Sequence, residues 1–268
     1  MTYHILKAEC IKAGYNHKNV LSDVTVDIPH GKISVILGAN GCGKSTLLKV
    51  LSRLLPPQSG KIILDNKNIS DISSRQIAKT IGLLPQSPFV PEGIRVIDLI
   101  SRGRFPYRQF LKSMNKDDFQ AVEEAMELMG ITELADRVVE ELSGGQRQRV
   151  WIALALAQQT DILLLDEPTT FLDIAYQIEI LDILAELNSK YKTTIVMVLH
   201  DINLSARYAD YLFAMKNGKL VAEGTPDEII VPELIQEVYG LACDVIIDPV
   251  SKSPMILPKG RKYNVLRQ

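Results

Sequence analysis

A lysine and a hydroxyl close the run Gly38-Ala39-Asn40-Gly41-Cys42-Gly43-Lys44-Ser45, which has the spacing of a loop that grips phosphate. The pattern G-x-x-x-x-G-K-[ST] needs its glycines so that the backbone can curl and aim successive N–H groups into one concavity. The helix that opens at Thr46 adds its positive end to that nest. Lys44 is then placed to neutralise the outer phosphates, and Ser45 to hold Mg²⁺ through its hydroxyl. A second chemical element reads Ile162-Leu163-Leu164-Leu165-Asp166-Glu167. Four apolar residues in a row predict a strand buried on both faces of a parallel sheet. Asp166 falls at its carboxyl end, where open α/β sheets place ligands. A carboxylate there can hold Mg²⁺ through the ion's water shell. Glu167 points elsewhere and is free to polarise a water for attack on a γ-phosphate.

A further glycine motif, Leu142-Ser143-Gly144-Gly145-Gln146, precedes a run in which Val150, Ala153, Leu154 and Ala157 recur at helical spacing. Ser143 is a good N-cap, and Gly144 and Gly145 leave their N–H groups unobstructed. This is a second helix start able to receive an anion. With only one acidic strand to serve both, the second motif is expected to complete a nucleotide site on another copy of the chain.

The elements that must position these residues follow from periodicity and turn residues. Strands are predicted at Ile5 to Ala13, Val24 to Ile28, Ile33 to Leu37, Lys61 to Leu64 and Thr80 to Leu84, with turns at 29–31 and 56–60. From Pro88 the pattern turns helical, at Val96 to Arg102, Lys116 to Met129, Thr132 to Arg137 and the helix after Ser143. Strands return at Ile162, Thr194, Tyr211 and Lys219, alternating with helices at Ala175 to Lys190 and Asp201 to Ala209. Such alternation predicts an α/β fold, a mostly parallel sheet with helices on both faces.

The chain has 268 residues, 46% hydrophobic and 23% charged, enough for a large core. Its net charge of -2 gives no electrostatic case for nucleic acid. The longest apolar runs fall far below the roughly 18 residues that cross a bilayer, and no charged-then-apolar leader opens the chain. A cytosolic protein that reaches a membrane by docking is expected. Cys10, Cys42 and Cys243 are too few and scattered for a disulfide framework. Cys42 lies in the loop near a helix start, where the local field is expected to favour thiolate. Its alternative role is a small residue fitting a tight turn.

From about Leu6 to about Ile247 the chain resembles the ATP-binding cassette family of transport ATPases, the LSGGQ element being specific to that family among P-loop proteins. The resemblance implies a RecA-like P-loop NTPase core with an N-terminal antiparallel β subdomain and an inserted helical subdomain. Residues 1–87 and 159–268 would form the core, and 88–158 the helical subdomain carrying the signature. It implies ATP and Mg²⁺ as ligands, with the loop Gly38 to Thr46 and the partner's Ser143 to Gln146 on the nucleotide. Tyr15 is similar to the aromatic residue on which adenine stacks, its alternative being a half-buried strand tyrosine. Gln86 resembles the glutamine that contacts Mg²⁺ and the attacking water, or is a polar strand end. Leu172 and Asp173 resemble the loop that communicates across the dimer. His200 resembles the switch histidine at the γ-phosphate, its alternative being a cap for the next helix.

The implied partners are a second copy, head to tail with ATP between, and integral membrane permease subunits, with a substrate-binding protein reached indirectly. The implied place is the cytoplasmic face of the cell membrane. A narrower likeness, through LLPQSPFVPEGIRVIDLISRGRFPY and DEPTTFLDIAYQIEIL, is to bacterial importers of iron chelates: siderophores, haem and cobalamin. Phe171 suits that group, while Tyr107 stands where histidine commonly follows Pro106. The run Arg102 to Pro106 belongs either to the permease-facing surface or to a solvated basic loop. Arg261, Lys262 and Arg267 make a basic end, read as a frayed tail. A soluble cassette of DNA repair or translation shares the motifs but usually carries a coiled coil or tandem cassettes. A P-loop kinase or GTPase leaves LSGGQ unexplained.

Overall fold

The computed structural model describes residues 3–16, 18–86, 88, 90–108, 113–170 and 172–260. Strands β1 (Leu6–Tyr15) and β2 (Lys18–Ile28) pair antiparallel. In β1 the buried face holds Leu6 and Ala8, then Ile11 and Ala13. It changes parity because Cys10 sits in a bulge at φ 51°, and one extra residue flips every later side chain. Asp23, at φ 59°, does the same in β2, between Leu21 and Val24.

Strand β3 (Ile33–Leu37), buried throughout, runs into the glycine loop and helix α1 (Lys44–Leu51). Strands β4 (Ser59–Leu64) and β5 (Lys67–Asn68) complete an antiparallel sheet of order β2-β1-β4-β5. Helix α2 (Ser74–Thr80), capped by Ser73, leads into β6 (Ile81–Leu84). Helices α3 (Val96–Ser101), α4 (Lys116–Leu128) and α5 (Gly144–Ala157) follow before β7 (Ile162–Asp166). The remainder alternates through α6 (Ile174–Tyr191), β8 (Thr194–Val198), α7 (Ile202–Tyr208), β9 (Tyr211–Lys216) and β10 (Lys219–Gly224). It ends in α8 (Pro226–Ile229), α9 (Pro232–Tyr239) and a hairpin of β11 (Cys243–Ile247) with β12 (Pro254–Pro258).

The second sheet has the order β10-β9-β3-β8-β7-β6, parallel except at its β9–β10 edge. Its two faces bury different clusters. Ile36, Leu164, Val196 and Val198 pack with α1 and the antiparallel sheet. Val35, Leu163, Leu165 and Met197 pack with α3, α4, α5 and α6 in one continuous apolar cluster. Among α3 to α5 a buried ion pair, Arg104 Nε to Asp118 Oδ1 at 3.0 Å, ties the loop after α3 to α4, and Arg104 also donates to Ala157 O at 2.9 Å. A buried charge pair is tolerated when hydrogen bonds satisfy it; Asp118 meets that condition through a second bond from Asn115 N–H.

Two expectations are corrected. Thr132 to Arg137 forms only a short 3-10 turn, Thr132–Leu134. The N–H groups of Leu134, Ala135 and Arg137 bond three residues back, to Ile131, Thr132 and Leu134 O, the tighter 3-10 spacing that rarely extends beyond a turn. The chain is then drawn across to α3, with Val96 N–H on Arg137 O and Ile97 N–H on Ala135 O. Thr80 ends α2 rather than opening a strand. The elements α2, β5, α8, α9, β11 and β12 were not among those expected. Phe171, Arg261, Lys262 and Arg267 lie outside the described residues.

Candidate functional site

The loop between β3 and α1 has the backbone that phosphate binding requires. Gly38, Gly41 and Gly43 take φ of 150°, 77° and 110°, values that side chains rarely allow. A Cβ on Gly38 would lie 2.4 Å from Met215 O and 2.6 Å from Cys42 Sγ. Among the described residues no side chain caps α1, which leaves its start facing outward for an anion. Lys44 is buried, and its Nζ donates to Gly38 O at 2.7 Å and Ala39 O at 3.1 Å. The ammonium therefore rests on the loop it would leave to meet phosphate.

Strand β7 delivers both acids to this loop. Ser45 Oγ donates to Asp166 Oδ1 at 2.9 Å. Burial pushes the Asp166 carboxyl above its usual range, the Ser45 hydrogen bond pulling it back and Glu167 adding to the rise. Glu167 stands at φ 57°, which turns its side chain away from Asp166. There His200 Nε2 lies 2.7 Å from Oε1, and Gln86 Nε2 and Thr170 Oγ1 donate to Oε2 at 2.8 and 3.1 Å. Burial raises the Glu167 carboxyl, yet the bonds from His200, Gln86 and Thr170 together outweigh it and leave the group below its ordinary value. The proton-free form is favoured.

These groups share one cavity of about 310 Å³, lined by Asn40, Gly41, Gly43, Lys44, Ser45, Thr46, Gln86, Glu167 and His200 together with Val20. Ser45 Oγ and Asp166 Oδ1, in contact at 2.9 Å, and the amide oxygen of Gln86 that the Glu167 contact leaves over are hard oxygen donors of the kind that would suit Mg²⁺. Ala39 belongs to the loop through its carbonyl bond to Lys44. Tyr15, 43% exposed, lies outside the cavity lining; Lys49 Nζ sits 5.8 Å over its ring. Val20 and Thr170 were not foreseen. Thr170 could have been found three residues after Glu167, at a turn, but Val20 reaches the cavity only through the pairing of sheets.

The Cys42 expectation is overturned. The side chain is buried, and burial raises its thiol, with Lys44 acting the other way. Desolvation outweighs the favourable field at the helix start, so Cys42 is a neutral thiol filling the turn beside Gly38.

The second glycine motif forms a separate site. Ser143 caps α5 by accepting Gln146 N–H at 3.3 Å, and Gln146 Oε1 accepts Ser143 N–H at 3.1 Å, a closed capping box. Gln146 is thereby turned onto its own helix. Ser143, Gly145 and Gln146 line a cavity of about 270 Å³ with Arg149 and Tyr176, and it shares no lining residue with the first. Gly144 begins α5 beside them. The loop carrying Leu172 and Asp173 touches this motif. Leu172 Cδ2 lies 3.3 Å from where a Gly145 Cβ would stand, and Asp173 caps α6 by accepting Tyr176 N–H at 3.1 Å.

A phosphate loop, an acidic strand end and a carboxylate held by histidine, glutamine and threonine at the carboxyl edge of a parallel sheet define a P-loop ATPase. The family model described as ABC transporter matches residues 21–170. The ferric enterobactin transport ATP-binding protein FepC of Escherichia coli (strain K12) is 49% identical, over 96% of this chain and 94% of its own. The petrobactin import ATP-binding protein FpuD of Bacillus anthracis is 44% identical, over 98% and 96%. The dimeric structure of MJ0796, a bacterial ABC transporter cassette, superposes with a TM-score of 0.74 at 28% identity, over 82% of this chain and 98% of that one. The chain belongs to the ABC transporter family, as an ATP-binding subunit that hydrolyses ATP.

Proposed function

We propose that this chain is the ATPase of an importer for iron chelates, working as a head-to-tail pair on the cytoplasmic face of a membrane. The observation that carries the two-copy arrangement is the separation of the cavities: the anion-receiving start of α5 lines none of the cavity that holds Lys44, Ser45 and Glu167. A second copy in two-fold arrangement brings Ser143 and Gly145 onto phosphates held by the first, and the reverse. Mg²⁺, held by Ser45, Gln86 and Asp166, would supply charge neutralisation on the phosphate oxygens. Glu167 accepts the proton of the attacking water, and His200 holds Glu167 in line. Tyr15 offers its exposed ring to adenine.

A permease partner is supported by the turn after α3. Phe105 is 76% exposed, while its neighbours are fixed: Arg104 is buried, and Arg75 from α2 donates to Pro106 O and Arg108 O at 2.8 and 2.7 Å. Among the described residues no helix is long and apolar enough to cross a membrane, so attachment through membrane subunits is the proposed route. Iron chelate as cargo is supported by the names of FepC and FpuD. Cells lacking this chain should lose uptake of a ferric siderophore; undiminished uptake, with loss of haem or cobalamin instead, would move the cargo.

His200→Ala should leave ATP affinity within about twofold and slow turnover roughly a hundredfold, the scale for removing one preorganised donor. Steady-state phosphate release checks this; Asp201, not His200, caps the following helix, and an unchanged rate would leave His200 with only a structural contact to Glu167.

A further inference from the structure

The glycine loop is held from a part of the chain that no nucleotide motif includes. Gly38 N–H donates to Tyr239 Oη at 2.8 Å, across 201 positions of sequence. Gly38 is buried at φ 150°, and its carbonyl accepts Lys44 Nζ at 2.7 Å. One residue thus joins the lysine on its carbonyl side to the tyrosine on its amide side. Tyr239 is the last residue of α9, which Ile235 and Val238 anchor in the core and which Gly240 ends at φ 68°. The other end of the loop is fixed by Gly218 N–H on Cys42 O at 2.9 Å. Both supports come from the final quarter of the chain.

We propose that Tyr239 is a positioning residue for nucleotide binding: its hydroxyl fixes Gly38, and so the entrance of the phosphate loop, while Lys44 exchanges the loop carbonyls for phosphate. This rests on the nucleotide assignment of the loop. When Lys44 leaves, Gly38 O loses its bond, while the Tyr239 contact still holds the preceding peptide through Gly38 N–H. Without the hydroxyl, the buried Gly38 N–H lacks its partner, and the loop must distort to satisfy it. Burial pushes the phenol up to about 12, so the hydroxyl keeps its proton and its role is constant through neutral pH. Among the described residues Tyr239 has no hydrogen bond to Glu167, His200 or Gln86, so the chemical step is not its concern.

Tyr239→Phe keeps the ring and removes only the hydroxyl. It should weaken binding of a fluorescent ATP analogue and of ADP alike, about five- to tenfold for one lost buried hydrogen bond. At saturating ATP the turnover number should stay within about twofold, a KM effect without a kcat effect. A residue that only fills space would be replaced by phenylalanine without loss and would show its effect first in Tyr239→Leu. Nucleotide affinity of Tyr239→Phe within about twofold of the parent, in a protein that melts normally, overturns the proposal. Lys44→Ala measured in parallel separates the two assignments. If it binds like the parent, the loop assignment itself fails; if it loses binding while Tyr239→Phe does not, only the role of Tyr239 is dismissed.

Discussion

Glu167→Gln should lose roughly two to four orders of magnitude in ATP turnover, the worth of a general base, while binding ATP as tightly as the parent. The substitution is nearly isosteric: the glutamine oxygen in the place of Oε2 still accepts from Gln86 Nε2 and Thr170 Oγ1, now at 2.8 and 3.1 Å. Its amide nitrogen in the place of Oε1 can donate to His200 Nε2, 2.7 Å away, in the imidazole tautomer that carries its proton on Nδ1. Gln86 keeps its orientation. Geometry therefore survives, and only the capacity to take a proton is lost. None of the groups on the phosphate loop is touched, so affinity stays. Single-turnover phosphate release together with equilibrium binding separates the two effects. Hydrolysis at the parental rate would reject Glu167 as the base.

Lys44→Ala should weaken ATP and ADP binding about a hundredfold or more, as expected when a charge-assisted contact to phosphate is removed from a buried site. Lys44 is 5% exposed, and its Nζ is the donor on the loop carbonyls Gly38 O and Ala39 O. Two effects oppose each other, and the first is the larger. The positive charge facing the phosphates disappears, while the bonds to Gly38 O and Ala39 O that Lys44 must give up on binding disappear too and offset only part of the loss. Calorimetric titration with each nucleotide measures the loss. Affinity equal to the parent would contradict the assignment of the loop.

What was legible in the sequence was local. The glycine loop, the fully apolar strand ending at Asp166 and the Ser143 cap each lie within a few residues, and each forms as its pattern predicts. The meeting of Gln86, Glu167 and His200 is different. They stand at the ends of β6, β7 and β8, neighbours in the sheet but far apart in sequence, and only family resemblance brought them together beforehand. Cys42 shows how a local rule fails: the helix start does favour thiolate, but the side chain is buried by Gly38 and its surroundings, which a string of residues does not display. The turn after α4 fails similarly, because its N–H groups bond three residues back and the chain is drawn across to the start of α3. The end of the chain carried signals that could have been read. Thr225-Pro226-Asp227-Glu228 is a capping box with proline at the first helical position, and Pro232 with Gly240 brackets α9. The contact from Tyr239 to Gly38 had none, since nothing in either segment anticipates the other.

The head-to-tail pair is tested most directly by light scattering on the Glu167→Gln protein, alone and with its membrane subunits, with and without ATP. ATP should double the mass of the cassette, ADP should not, and adding Ser143→Arg to the same chain should abolish the doubling without reducing ATP binding to the single copy. A cassette that stays single with ATP under both conditions, or one that pairs regardless of Ser143, would contradict a nucleotide held between the phosphate loop of one copy and α5 of the other.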